Sequence, residues 1–151
     1  MSIDEEESAF RRLAVELQIL EGTADSIQQR LNYLNVALRE LSYTHLTLEG
    51  VEKEQSDASI LVPIGGGSFI RAKLEAPDKI IVGMGAGVSI EKTIAEAKDI
   101  VHNRLGALEK SRSETQQQLV QVLNKVQEDR TLLNQMLTKH EAEKKFDVPE
   151  A

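Results

Sequence analysis

"ILVPIGGGSFIRAKL", Ile60–Leu74, is two short apolar runs on either side of Gly65-Gly66-Gly67. In a strand, alternate residues point to opposite faces, so Ile60, Val62 and Ile64 line one side of the first run. Ile70, Ala72 and Leu74 line one side of the second, and Arg71 and Lys73 fall on the other. Glycine accepts the positive φ that a tight reversal requires, and the pattern reads as a β-hairpin. Pro63 has no N–H to give to a ladder and belongs at an edge or a bulge. Ala76-Pro77-Asp78 makes a further turn into Lys79–Met84, and a fourth strand begins near Gly87. The expectation is a four-strand meander over Ser59–Ile64, Ser68–Leu74, Lys79–Met84 and that last strand. Such a sheet has two open edges and too few strands to close a packed barrel. Strands from another copy or a relative would complete it, so this region is expected to be an assembly module.

The flanking sequence has a different period. From Phe10, steps of three and four residues land on Leu13, Leu17, Leu20, Ala24, Ile27, Leu31, Leu34, Leu38, Leu41, His45 and Leu48. That is the alternation of a left-handed coiled-coil seam. Ser2 and Glu5 have the spacing of a capping box. A second seam runs Ile90, Ile94, Ala97, Val101, Leu105, Leu108, Arg112, Thr115, Leu119, Val122, Val126, Asp129, Leu133, Met136 and His140, on a helix expected to start at Ser89. The fold class is therefore α+β: a long antiparallel helical coiled coil with two central β-hairpins. Residues 1–151 read as one elongated subunit: an N-terminal helix over 2–48, two hairpins over 51–88 and a C-terminal helix over 89–146. Folding back at the strands sets Leu48 near Ile90, Phe10 near Glu128 and Thr115 opposite Thr23. The polar stretches Glu109–Gln118 and Gly22–Ser26 then share one height, where a soft point is expected.

Composition narrows the function. Aromatic residues make up 3% of the chain, with no Trp, which suits long helices better than a compact globule. A net charge of −7 disfavours nucleic acid and anionic membrane as general partners. There is no Cys, so no disulfide, thiol nucleophile or thiolate metal site. The acidic start, MSIDEEESAF, is not a signal peptide, and no apolar run reaches membrane-spanning length. The expected location is the cytoplasm.

Lys79–Val82 leads into Gly83-Met84-Gly85-Ala86-Gly87 and then a helix, the order in which nucleotide-binding loops begin. The spacing is wrong for G-x-G-x-x-G, which would need glycine at Val88, and Gly65-Gly66-Gly67 is not followed by Lys-Ser or Lys-Thr. His45, His102 and His140 lie far apart with no ligand spacing, and no serine or acid is matched with a base. The expectation is no enzyme, no metal and no cofactor. The apolar residues toward the helix ends are Ile3, Phe10 and Leu13 on one side and Leu132, Leu133, Met136, Leu137, Phe146 and Val148 on the other.

Helix, two hairpins, helix, without a catalytic set, resembles the archaeal prefoldin family, and within it the α-subunit type. The likeness is most specific at Val62-Pro63-Ile64-Gly65, at Phe69-Ile70-Arg71-Ala72, and at Val82-Gly83 through Gly87-Val88-Ser89-Ile90-Glu91-Lys92. Two hairpins point to the α type, because the β type is expected to have one. The resemblance implies a hexamer of two α and four β subunits with a shared β-barrel platform. It also implies ATP-independent capture of unfolded polypeptides at the coiled-coil tips and their transfer to a group II chaperonin. The nine apolar residues just named would then be client contacts. Ile60, Val62, Ile64, Phe69, Ile70, Leu74, Ile80, Ile81, Val82 and Val88 would serve oligomerisation. The alternative reading is a structural coiled-coil scaffold or tether without client binding.

Overall fold

The computed structural model describes residues 2–146. The order is α1 (Ile3–Glu52), β1 (Ser59–Gly65), β2 (Ser68–Lys73), β3 (Lys79–Gly85), β4 (Val88–Thr93) and α2 (Ile94–Phe146). Two compact units are drawn from this chain. One takes the portions up to Leu34 and from Ser111 onward; the other is Asn35–Lys110.

Both helices start on reciprocal caps. The Ser2 N–H donates to Glu5 Oε2 at 2.9 Å, and the Glu5 N–H donates to Ser2 Oγ at 3.4 Å. At α2 the Thr93 N–H donates to Glu96 Oε2 at 3.0 Å, and the Glu96 N–H donates to Thr93 Oγ1 at 3.2 Å. Each box satisfies backbone donors that the first helical turn leaves without partners. Acidic residues Asp4, Glu5 and Glu6 begin α1, and Lys144 and Lys145 close α2, matching the helix dipole at each end.

The second cap moves the start of α2. The helix begins at Ile94 rather than Ser89, and α1 runs beyond Leu48 to Glu52. Ser89–Thr93 belong to β4, whose residues pair with β3 in the register Lys79↔Thr93 through Gly83↔Ser89. Val88-Ser89-Ile90-Glu91-Lys92-Thr93 alternates with period two, and its backbone groups are met by a neighbouring strand before a helix can claim them.

That shift changes the helix register. Within the first unit Glu21 pairs with Arg130, and Glu6 pairs with Lys139 at 2.8 Å. In the second unit Glu52 meets Lys98 at 2.7 Å, and Leu48 shares a core cluster with Ala97 and Val101. Each residue of α1 thus faces a position further along α2 than expected. Leu48 does not lie near Ile90 as a seam partner, Phe10 does not face Glu128, and Thr115 does not face Thr23. The two polar stretches do not coincide, which removes the basis for a soft point. Thr115 is buried and donates its hydroxyl to Ser111 O at 2.7 Å.

The seam residues themselves stand. Every position from Phe10 to Leu48 in the first series is buried or half-buried. In the second series Ile90, Arg112 and His140 are exposed and the rest are sheltered. Asp129 is fully buried; its Oδ1 accepts from Lys125 Nζ at 2.8 Å, and its Oδ2 has no partner.

The strands form two separate two-stranded sheets, β1–β2 and β3–β4, rather than one meander. They are copies of one pattern. Ile60-Leu61-Val62-Pro63-Ile64-Gly65-Gly66-Gly67 aligns without a gap on Ile80-Ile81-Val82-Gly83-Met84-Gly85-Ala86-Gly87, with the same residue at Ile60/Ile80, Val62/Val82, Gly65/Gly85 and Gly67/Gly87. The ladders match as well: each slips once, between Pro63 and Gly65 and between Gly83 and Gly85. Pro63 thus sits at a bulge. The reversals occur at Gly66 (φ 56) and Gly67 (φ 73), and at Ala86 (φ 50) and Gly87 (φ 76). Positive φ at both central residues is the requirement of a type I′ hairpin turn.

Candidate functional site

The sheltered core of the second unit is small: Leu48, Val82, Ala97 and Val101, with Leu41, Ile80, Ile94, Ile100 and Leu105 against it. Arg104 holds β3 to α2 by donating to Gly83 O at 2.7 Å. The first unit has a smaller cluster of Ala24, Leu31 and Leu119, with Ile27 and Val122 packed on it. Among the described residues, large exposed apolar side chains also stand along the middle of the helices (Tyr33, Val36, Tyr43, Leu46, Val120 and Leu123), and they gather at the hairpins and at the helix ends.

The first place is the hairpins. Val62, Ile64, Phe69, Ile70, Ile81 and Val88 are exposed, and Ile60 and Leu74 are half-buried. Ile80 and Val82 are different: Val82 is buried and Ile80 packs on the helices, so both are spent within the chain. Leu61, Met84 and Ile90 are exposed too and were missed. Comparing the two hairpins as a repeat would have found them, since Leu61 corresponds to Ile81, Met84 to Ile64 and Ile90 to Ile70.

The second place is where α1 begins and α2 ends, within the first unit. Phe10, Leu13, Leu133 and Met136 are half-buried seam residues. Ile3, Leu132, Leu137 and Phe146 are exposed, Phe146 at 94%. Val148 lies outside the described residues. Lys139 donates to Glu6 Oε1 at 2.8 Å between the helices. That bond holds the Glu6 carboxyl below its ordinary 4.5 and lifts the Lys139 ammonium above 10.5. Val15 and Ile19, exposed at 56% and 63%, form a shallow groove with Arg11, Arg12, Glu16 and Leu20. Apolar residues spaced i, i+4 but off the seam were the signal for this pair.

Among the described residues no group of three or more His, Cys, Asp or Glu is placed to hold a metal. No described helix is long and apolar enough to cross a membrane. His45 lies on the seam beside Glu49, with Nε2 to Oε1 at 3.3 Å; His102 and His140 are exposed.

A family model described as "Prefoldin subunit" matches residues 20–139. The prefoldin subunit alpha of Methanopyrus kandleri is 36% identical over 73% of this chain and 70% of its own length. This chain belongs to the prefoldin family. The prefoldin subunit alpha of Pyrococcus horikoshii is 33% identical over 79% of this chain and 81% of its own. A chain in the cryo-EM structure of filamentous PFD from Methanocaldococcus jannaschii superposes with a TM-score of 0.64 at 20% identity. That match covers 74% of this chain and 93% of the other, and it is a likeness of fold. Prefoldin family proteins are chaperones, not enzymes, which disposes of the nucleotide-enzyme reading of Gly83–Gly87.

Proposed function

We propose that this prefoldin chain is an ATP-independent holdase subunit of the cytoplasm. Its helix ends capture unfolded polypeptides and pass them to a group II chaperonin. Its hairpins join those of β subunits and a second α subunit, two α with four β, in a shared β-barrel platform. The observation that carries this reading is the set of large exposed side chains at the helix ends, Ile3, Leu132, Leu137 and Phe146. Among the described residues none of the four belongs to a buried core cluster. Burying client surface against them yields about 25 cal/mol per Å² of apolar area. Each such contact is weak and reversible, and several subunits acting together supply avidity through effective concentration.

A light-scattering assay tests the proposal. The assembled complex should suppress aggregation of a denatured substrate protein in the absence of ATP. Replacing Ile3, Leu132, Leu137 and Phe146 together by Ser should abolish suppression and leave assembly intact. A wild-type complex that assembles but does not suppress aggregation would leave a scaffold or tether in its place.

A further inference from the structure

The two hairpins share one pattern and differ in charge. On β3–β4, the face that carries Ile81 also carries Lys79 and Glu91, which neutralise each other at 3.2 Å. On β1–β2, the pairs Leu61↔Arg71, Pro63↔Phe69 and Ser59↔Lys73 share one face. Leu61 and Phe69 there are 60% and 57% exposed. Among the described residues no carboxylate forms an ion pair with Arg71 or Lys73. A chain of net charge −7 therefore sets two uncompensated cations beside two bare apolar side chains.

The edges of this hairpin also differ. β1 is blunted, because Pro63 has no N–H and the ladder slips between Pro63 and Gly65. β2 is unbroken from Ser68 to Lys73, and among the described residues no strand covers its outer edge.

We infer that the open edge of β2 chooses its neighbour by charge. It accepts a strand of a non-identical subunit that carries carboxylates on the face shared with Arg71 and Lys73, and it rejects β2 of a second copy. The inference rests on the assembly reading above and names its specificity. Backbone hydrogen bonds at a strand edge are nearly the same for any incoming strand, so discrimination falls to the side chains. Opposite charges across neighbouring strands attract and like charges repel. An antiparallel β2–β2 pairing between two copies brings the Arg71 and Lys73 of one copy alongside those of the other. A neighbour with Asp or Glu at those heights turns the same cations into ion pairs, and Leu61 and Phe69 gain cover.

The test uses the full chain with a co-expressed β-type prefoldin subunit, read by native mass spectrometry and by titration. Arg71→Glu with Lys73→Glu should weaken association with the β-type subunit by about tenfold or more. Helical circular dichroism should stay at the wild-type level. The uncharged pair Arg71→Gln with Lys73→Gln should weaken it less and should increase self-association. Mixing wild type with the charge-reversed chain, without the β-type subunit, should yield a heteromeric species that neither forms alone. Charge-reversed chains that assemble with the β-type subunit as wild type does, or a mixture with no new species, would overturn the inference and leave Arg71 and Lys73 as solubilising edge residues. Both measurements read assembly alone, so a failure of client capture leaves their outcome unchanged.

Discussion

Ala86 is the turn residue at which the two hairpins differ. It occupies the first central position of the second hairpin turn at φ 50, where the first hairpin has Gly66 at φ 56. An L-residue in that region costs about 1–2 kcal/mol, while a glycine gives back part of that through its looser unfolded chain. No atom stands within 4 Å of a Cβ built at Gly66 or Gly87, so backbone strain, not crowding, is the term that differs. Ala86→Gly should therefore stabilise the β3–β4 hairpin by about 0.5–1 kcal/mol, measured as a higher urea midpoint. Asp129 makes the opposite argument within the other unit. Its carboxylate is fully buried with one oxygen unpartnered, among seam neighbours Val126 and Leu133. Removing such a charge in favour of an apolar residue of similar volume commonly gains stability. Asp129→Leu should raise the unfolding midpoint, by about 1–3 kcal/mol in free energy. Lys125→Met should lower it, because Asp129 Oδ1 loses the Lys125 ammonium. A lowered midpoint in Asp129→Leu would mean that the carboxylate is what holds the helix register.

At the scale of elements, the seam of α1 was fully readable, because burial there follows from the three-four alternation alone. The start of α2 was not. Ser89 followed by Glu91 imitates a helix beginning, and the true cap, Thr93 with Glu96, lies just beyond it. What decides between them is the strand pairing of Val88–Thr93 with β3, a partner distant in sequence that no local propensity contains. The misplaced start carries over into the register of the two helices. Ile3 and Phe146 are exposed by position, and Val15 and Ile19 are exposed because they lie off the seam. The helix ends also predict a pH response. Lys139 holds Glu6 below 4.5, and the Thr93 backbone N–H does the same for Glu96. Lowered carboxyl values stabilise above the unfolded value and lose that contribution as pH falls through the folded one. Lys139 and Lys98 are raised above 10.5 by Glu6 and Glu52, so their contribution is present below 10.5 and lost as pH climbs through the raised values. Helicity by circular dichroism should be flat from about pH 5 to 10 and fall on either side. Because these pairs are exposed, the falls should be shallow, and Glu6→Gln should remove only part of the acid limb.

For the molecule as a whole, the two hairpins predict uneven protection that assembly evens out. The β3–β4 hairpin is anchored through Val82 and Ile80 in the core and through Arg104 on Gly83 O. The matching residues of β1–β2 are Val62, which is exposed, and Ile60, and neither belongs to that core. A two-stranded hairpin without packing is marginal in water, whereas one held to a buried cluster opens only when the cluster does. In the isolated chain, amides of Ser59–Lys73 should exchange with solvent faster than those of Lys79–Thr93. Val82→Ala should cost the isolated chain about 1–3 kcal/mol, and Val62→Ala should cost it almost nothing. Partner strands that bind the folded hairpin alone would stabilise it by about 2.7 kcal/mol at a hundredfold excess over Kd. Exchange over Ser59–Lys73 should slow by about two orders of magnitude under those conditions, while exchange over Lys79–Thr93 changes little. If β1–β2 in the isolated chain were already as protected as β3–β4, its apolar faces would need no companion, and the assembly argument built on them would fail.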